Sequence, residues 1–304
     1  MPYHFVCPHC GSETLADDHY SGQGGPCFSC GEPVALPDFV ADLPPDRQRQ
    51  PPAGSKSRMG QVILVVGAGV VAFVISVVAL MTFAFPGAQA IRSVRQRSAC
   101  DRNLQRIGKA LAAYHDEQGQ FPPAHVTDAN GQPMHSWRVL ILPYLDEEGL
   151  YKRYDFNQPW NSPQNASLTM QMPEVFACPG DPEAKLVGET SYMVIVGRDT
   201  MFPGASSRGL SDLQDDPATT ILVAETPVAG ITWLEPKDLS AVRMQFAINT
   251  GFAREIGGYH RGGVNALMAD GKVPFIPDTT PEEYVQAMTT IDRKENIPKG
   301  VLDN

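Results

Sequence analysis

The sequence has little positive charge: 24 Lys and Arg residues stand against 34 Asp and Glu residues, a formal net charge of −10. A general nucleic-acid-binding protein needs a basic face, so the composition disfavours that class. The sequence also lacks three motifs that mark common reaction centres, namely G-x-S-x-G, H-E-x-x-H and a phosphate-binding glycine loop. These absences favour a protein that is not an enzyme.

Cysteine is scarce as well, and its six residues are unevenly placed. Four of them form two C-x2-C pairs near the N-terminus: Cys7, Cys10, Cys27 and Cys30. Each pair can form a tight knuckle, and four thiolates complete a tetrahedral structural site. Two disulfides or a redox-active C-x-x-C pair are the alternatives. The spacing predicts a zinc ribbon over residues 1–32, with structural Zn²⁺ as its cofactor and as the main source of its folding free energy.

A linker rich in Pro, Gln, Asp and Arg is predicted over residues 33–59. It leads into Val62–Phe85, 24 residues without a charge and with Ser76 and Thr82 as the only polar side chains. At about 1.5 Å per residue, such a helix spans the roughly 30 Å hydrocarbon core of a bilayer. The run is too long and starts too late for a signal peptide. We predict one transmembrane helix within residues 60–85, with the lipid bilayer as a partner.

The charges beside this segment do not decide its orientation, because each flank carries four basic residues. They are Arg47, Arg49, Lys56 and Arg58 on one side and Arg92, Arg95, Arg97 and Arg102 on the other. The redox chemistry of the cysteines is a better guide to the orientation than these charges are. A thiolate zinc site is safest in the reducing cytosol, whereas the remaining two cysteines could pair outside. We therefore predict a cytoplasmic-membrane protein with a cytosolic N-terminus and an external domain over residues 86–304.

The external section begins with apolar residues at three- and four-residue steps, which predicts an amphipathic helix over residues 88–118. The predicted apolar stripe starts at Ile91 and Val94 and continues through Cys100, Leu104, Ile107, Leu111 and Tyr114. The helix should end before Pro122 and Pro123. Its stripe needs a sheet to cover it, and the sequence beyond residue 119 is assigned to that sheet and its loops.

Seven stretches of the external section together resemble the sequence pattern of a known protein family. They are FPGAQAIRSVRQRSACDRNLQRIGKALAAYHDEQGQFPPA, SWRVLILPYLDEEGLYKRYDFNQPWNSPQN, FACPG, TSYMVIVG, TTILVAET, ITWLEPKDL and HRGGVNALMADG, in this order across most of residues 84–280. Together they resemble a bacterial family of pilin-like proteins, domain-of-unknown-function family 1559, which has a C-terminal H-x9-DG motif.

The resemblance implies an α+β fold like that of a type IV pilin or pseudopilin. In such a fold a long N-terminal helix, half of it in the membrane, packs on an antiparallel sheet. The resemblance also implies a disulfide between Cys100 and Cys178, with two unpaired buried thiols as the alternative. Family members commonly carry a Gly-Phe processing junction and a glutamate in the membrane helix, and this sequence has neither. We therefore expect a permanent anchor, with possible self-association through the helix, rather than a fibre subunit.

Three polar residues in the external section are candidates for a ligand site or a structural polar site: Glu225, Asp238 and His260. His260 lies ten residues before Asp270 in HRGGVNALMADG. Asp270 and Gly271 form a strong hairpin-turn signal between the strand patterns VNALMA and KVPFI. His260 and Asp270 should therefore lie at opposite ends of a strand, which favours a structural hydrogen bond for His260 over a catalytic or metal role.

Three functions are consistent with these features. The leading one is a non-enzymatic, single-pass membrane protein whose external domain binds or assembles with envelope or secretion proteins. The second is a membrane-tethered sensor or carbohydrate-binding module, which requires an open aromatic face containing Trp137, Trp160 or Trp233. The third is an external hydrolase, which requires Glu225, Asp238 and His260 to converge in a cleft.

Overall fold

The computed structural model describes residues 3–38, 69, 71–80, 85–181, 183–227, 230–251, 255–293 and 297–302. The chain divides into two compact units, Met1–Ala79 and Leu80–Asn304.

Two hairpins form the described N-terminal part of the first unit. Strand β1 (Tyr3–Val6) pairs antiparallel with β2 (Glu13–Ala16), and β3 (Gly24–Pro26) pairs with β4 (Pro33–Ala35). A single 3-10 turn, Asp18–Tyr20, lies between the hairpins. Each hairpin encloses one C-x2-C pair at its tip.

The two cysteine knuckles repeat one backbone geometry. Gly11 and Gly31 both have φ of 73°, a left-handed conformation that glycine adopts without steric cost. Each donates its N–H to the first cysteine of its pair, Gly11 to the Cys7 carbonyl at 2.9 Å and Gly31 to the Cys27 carbonyl at 2.8 Å.

The predicted boundary between ribbon and linker is wrong. Strand β4 lies within the predicted linker, and Leu36 donates its N–H to the Gln23 carbonyl at 2.9 Å. The second hairpin needs this return strand, so the folded N-terminal segment extends beyond residue 32. The rest of the predicted linker, residues 39–59, lies outside the described residues.

Most of the predicted membrane segment also lies outside the described residues. Within Val62–Phe85, only residues 69, 71–80 and 85 are described, and residues 71–79 are helical. No helix among the described residues is long and apolar enough to cross a membrane.

The second unit begins with a long helix, α1 (Phe85–Gln118). Its buried stripe starts at Cys100 and continues through Leu104, Ile107 and Leu111, at the three- and four-residue steps of a helical face. The stripe is shorter than predicted, because Ile91 and Val94 are 57% and 64% exposed. The helix ends where Gly119, at φ of 75°, donates its N–H to the His115 carbonyl.

A five-stranded sheet packs beside α1. Its strands are β7 (Tyr192–Val196), β8 (Ile221–Glu225), β9 (Leu239–Ser240), β10 (Gly263–Met268) and β11 (Phe275–Pro277). Their order across the sheet is β11-β10-β8-β7-β9. The pairs are antiparallel except for β7 with β9, which is parallel. The α+β class with antiparallel sheets is thus confirmed, and the parallel edge pair is an addition that the sequence did not predict.

The remaining elements of the second unit are short. A separate hairpin consists of β5 (His125–Thr127) and β6 (Pro133–Ser136). The short α-helices are α2 (Trp137–Leu140), α3 (Glu148–Arg153), α4 (Pro163–Ala166), α5 (Ala184–Val187) and α6 (Glu282–Ala287). The 3-10 helices are Leu142–Leu145, Thr169–Gln171, Glu174–Phe176, Leu210–Asp212 and Lys299–Val301.

The sheet is buried on both faces. In β7, Tyr192 and Val194 pack into the cluster that contains the α1 stripe, whereas Met193 and Ile195 pack into a second cluster. A disulfide between Cys100 and Cys178, 78 residues apart in sequence, joins α1 to the chain that enters the sheet. The predicted disulfide is confirmed, and closing a loop of this size contributes roughly 4–5 kcal/mol in the chain-entropy model.

Candidate functional site

The four N-terminal cysteines converge at the tips of the two hairpins. The Cys7 and Cys30 sulfurs are 3.9 Å apart, as are those of Cys10 and Cys27. All four sulfurs lie within 4.8 Å of one another. Tetrahedral thiolates about 2.3 Å from a metal lie roughly 3.8 Å apart, so this donor set fits a metal ion. The predicted four-cysteine cluster is confirmed.

Backbone amides at the second knuckle favour the thiolate form that a metal requires. The N–H of Cys30 and then that of Ser29 point at the Cys27 sulfur and lower the pKa of Cys27 to about 6. At the first knuckle, the Ser12 side chain lies 3.1 Å from the Cys10 sulfur and lowers the pKa of Cys10. These contacts favour the thiolate form of Cys10 and Cys27, whereas the pKa of Cys30 is raised to about 12: the Glu32 backbone N–H lowers it, but desolvation and the neighbouring thiols outweigh that effect.

A second cluster of metal-ligand residue types lies inside the second unit. Glu225, the last residue of β8, has a side chain that is only 1% exposed. Both of its carboxylate oxygens accept hydrogen bonds from Asn265 on β10: Oε2 from the backbone N–H at 2.8 Å, and Oε1 from the side-chain amide at 2.9 Å. A buried carboxylate needs such donors, because burial removes it from water.

His260 lies beside this carboxylate, just before β10. Its Nε2 atom is 3.3 Å from Glu225 Oε1 and 3.4 Å from the sulfur of Cys178. The ligand-type atoms of Cys100, Cys178, Glu225 and His260 all lie within 4.8 Å of one another, and all four residues are buried. The structure thus brings two of the three predicted polar residues together, and it places both against the disulfide.

Asp238 has a different location. Its Oδ1 atom accepts hydrogen bonds from the Arg138 guanidinium at 2.6 Å, the Trp137 indole at 3.2 Å and the Val194 backbone at 3.1 Å. Burial raises the pKa of Asp238, an effect that the Arg138 charge opposes. Since this carboxylate is held by Arg138 and is not part of the His260 cluster, the predicted three-residue hydrolase site does not assemble.

The structure buries two of the three tryptophans of the predicted aromatic face. Trp137 and Trp233 are fully buried, and Trp160 is partly buried against the same core. Trp233 stacks on Phe176 at a centroid distance of 6.1 Å and donates its indole N–H to the Thr169 carbonyl at 3.1 Å. These rings are packed inside the domain because their large apolar area outweighs one polar atom each, which the backbone or Asp238 satisfies.

Asp270 and Gly271 lie in the loop between β10 and β11, at the opposite end of β10 from His260. Gly271 has φ of 83° and donates its N–H to the Met268 carbonyl at 3.0 Å. The Asp270 carboxylate accepts the Lys272 N–H at 2.9 Å. Asp270 therefore shapes the turn.

Two residues of these buried sites were missed at the sequence level. Arg138 is the only charged residue in WRVLILPYL, and a lone charge in an apolar run is a signal for a buried partner. Asn265 interrupts the apolar strand GVNALM in the same way. Neither pattern identifies the partner.

One family model matches the chain. It is described as "Protein of unknown function (DUF1559)" and covers residues 89–247, just over half of the chain. The matched range includes most of α1, both disulfide cysteines and Glu225, and it ends before His260. No curated protein and no solved structure matches.

Proposed function

The chain belongs to the DUF1559 family, and we propose that it is a non-enzymatic, single-pass membrane protein. In this proposal the N-terminal part of the first unit is a cytosolic zinc ribbon, the apolar run Val62–Phe85 crosses the membrane, and residues 86–304 form an external, pilin-like domain. The external domain binds or assembles with proteins of the cell envelope or of a secretion system.

The observation that carries the proposal is the contrast between the two sets of cysteines. Four cysteines in the first unit are free thiols clustered as metal ligands, whereas the two in the second unit form a disulfide. Thiolate metal sites are safest in a reducing compartment, and disulfides persist in an oxidising one. A membrane between the two sets of cysteines explains both states, and the apolar run Val62–Phe85 lies between these sets in sequence.

Zinc is the metal that the four-sulfur donor set fits best, since structural Zn²⁺ sites are tetrahedral and rich in thiolate. The described part of the first unit has almost no apolar core: Cys7 and Ala16 are its only buried hydrophobic residues. A unit this small needs another source of folding free energy, and metal binding supplies it.

Exposed apolar residues support both the anchor and an assembly surface. Among the described residues before α1, Val71, Phe73 and Ile75 are each more than half exposed. Ile91 and Val94 continue this exposure into the first turns of α1, before the buried stripe begins. Such side chains are stable when lipid or a partner protein covers them.

Two observations weigh against the competing functions. The carbohydrate-binding alternative needs an aromatic face, and two of its three tryptophans are inside the core. The hydrolase alternative needs Asp238 beside His260, and Asp238 is bound to Arg138 instead.

Cysteine labelling in intact cells tests the topology. With a membrane-impermeant maleimide, we expect Ser206→Cys, at an exposed position of the second unit, to be labelled. Gln50→Cys should react only after the cells are permeabilised. Labelling of Gln50→Cys in intact cells would overturn the proposal.

Crosslinking in cells tests the interaction role. We expect the full-length protein to co-purify with specific envelope proteins, and Ile91→Asp/Val94→Asp to reduce their yield. Glu148→Gln, at an exposed site far along the sequence, is the matched surface control. A protein that remains monomeric and captures no partner would count against this role.

A further inference from the structure

We infer that reduction of the Cys100–Cys178 disulfide creates a second metal site, in which both thiolates, Glu225 and His260 bind a divalent ion of the zinc type. This inference concerns the second unit alone and does not depend on the membrane topology.

Three of the ligand atoms have positions that fit this coordination, and the fourth, the Cys100 sulfur, must separate from the Cys178 sulfur when the disulfide is reduced. Ligands at about 2.0–2.3 Å from a tetrahedral metal lie roughly 3.3–3.8 Å from one another. His260 Nε2 is 3.3 Å from Glu225 Oε1 and 3.4 Å from the Cys178 sulfur. The fourth atom, the Cys100 sulfur, lies within 4.8 Å of the other three. What prevents metal binding is the covalent bond between the two sulfurs, which leaves no thiolate.

The surroundings hold these groups in place. Asn265 fixes both oxygens of Glu225, and each oxygen keeps a further lone pair for a metal. Hydrogen-bonded carboxylates of this kind are typical of supported metal sites.

Glycines line the cluster closely. A Cβ atom at Gly180 would lie 3.3 Å from the His260 ring and 3.4 Å from the Cys178 sulfur. A Cβ atom at Gly258 would lie 3.1 Å from Glu225 Oε2. The site is therefore enclosed, as structural metal sites are.

The chemistry balances with a dithiol as the reductant. The dithiol transfers two electrons and two protons, the Cys100–Cys178 bond breaks, and the reductant leaves as its own disulfide. The metal ion then displaces the two thiol protons into solvent and binds the two thiolates, the Glu225 carboxylate and the neutral His260 nitrogen.

The disulfide-bonded state and the reduced, metal-bound state would both hold α1 to the sheet. The disulfide ties α1 to the chain that enters the sheet. The metal would make the same connection through Cys100 on α1, Glu225 on β8 and His260 before β10. A chain that has not been oxidised would thereby keep its helix attached to its sheet.

Cobalt binding to the full-length protein in detergent tests the inference, because Co²⁺ replaces zinc and its absorption reports the ligands. Protein is reduced by a dithiol in denaturant, freed of reductant under anaerobic conditions and refolded with Co²⁺. We expect one Co²⁺ per oxidised chain, with a four-sulfur spectrum. The reduced chain should bind a second Co²⁺, with weaker thiolate charge-transfer bands because two of its ligands are not sulfur.

Substitutions show which residues bind each of the two Co²⁺ ions. His260→Gln and Glu225→Gln should each weaken the second ion at least ten-fold and leave the first unchanged, whereas Cys27→Ser should affect only the first. His125→Gln is the matched histidine control, since His125 lies in β5 and outside the cluster. Three results would overturn the inference: one ion per reduced chain, a second ion unaffected by His260→Gln, or a reduced chain whose second unit fails to fold with Co²⁺ present.

Discussion

At the scale of single residues, the second unit contains a buried ion pair. Arg138 and Asp238 have side chains that are 0% and 1% exposed. The guanidinium also donates to the Tyr192 carbonyl at 2.9 Å, so it ties α2 to β7. Burying such a pair is costly, and it is tolerated because nearly every polar atom has a partner. The pair fixes how α2 meets the sheet.

Replacing one member of the Arg138–Asp238 pair should reveal the cost of burying the other charge without a partner. We expect Asp238→Asn to lower the free energy of unfolding by roughly 3–5 kcal/mol, because it leaves the Arg138 charge buried without a counterion. Urea denaturation followed by fluorescence of the buried tryptophans measures this. The control is Glu148→Gln at an exposed i,i+4 pair with Lys152, where no measurable change is expected. Equal effects of the two substitutions would refute the argument.

At the scale of elements, α1 and β10 lie unusually close together. A Cβ atom at Gly108 would lie 2.7 Å from a methyl group of Leu267, so the helix approaches the strand where it has no side chain. Within the sheet, β10 and β11 are also closely spaced, because a Cβ atom at Gly263 would lie 2.2 Å from the Ile276 carbonyl oxygen of β11. Glycine at these two positions allows the close approach of α1 to β10 and of β10 to β11.

The adjacent glycines of the HRGG stretch give a matched comparison. Gly262 has φ of 84° with open space around it, whereas Gly263 has φ of 158° and meets the Ile276 backbone. We expect Gly262→Ala to destabilise the protein by about 1–2 kcal/mol, the cost of a left-handed backbone. Gly263→Ala should cost clearly more, because a backbone clash adds to the strain. Thermal unfolding of both variants tests this difference in stability. Indistinguishable melting temperatures would contradict the expected extra cost at Gly263.

At the scale of the whole molecule, the two units are stabilised by different means. The described part of the first unit has four clustered thiols and two buried hydrophobic residues. The second unit has two hydrophobic clusters and a disulfide. Their stabilities should therefore respond to different reagents.

A metal chelator should distinguish the stability of the first unit from that of the second. We expect a strong zinc chelator to abolish the protection of residues 3–38 against hydrogen exchange and to leave that of residues 85–293 unchanged, because only the first unit depends on the proposed N-terminal metal. Cys27→Ser should reproduce the effect without the chelator. Loss of protection in both units together would show that the metal has a wider role.

The sequence by itself determined the features that depend on local spacing. The cysteine knuckles, the buried stripe of α1 from Cys100 onward and the turn at Asp270 and Gly271 all follow from residues a few positions apart. In such cases backbone geometry and side-chain periodicity are sufficient. The family pattern added the disulfide, which no local rule provides.

Tertiary structure alone decided which distant polar groups meet. Glu225 lies beside His260 and the disulfide, Asp238 lies beside Arg138, and two of the three tryptophans face inward. Residues so far apart in sequence come together only when helix and sheet pack. The reason is physical: each buried charge must find its hydrogen-bond partners inside the core, and only the packed arrangement of all elements determines which partners are within reach.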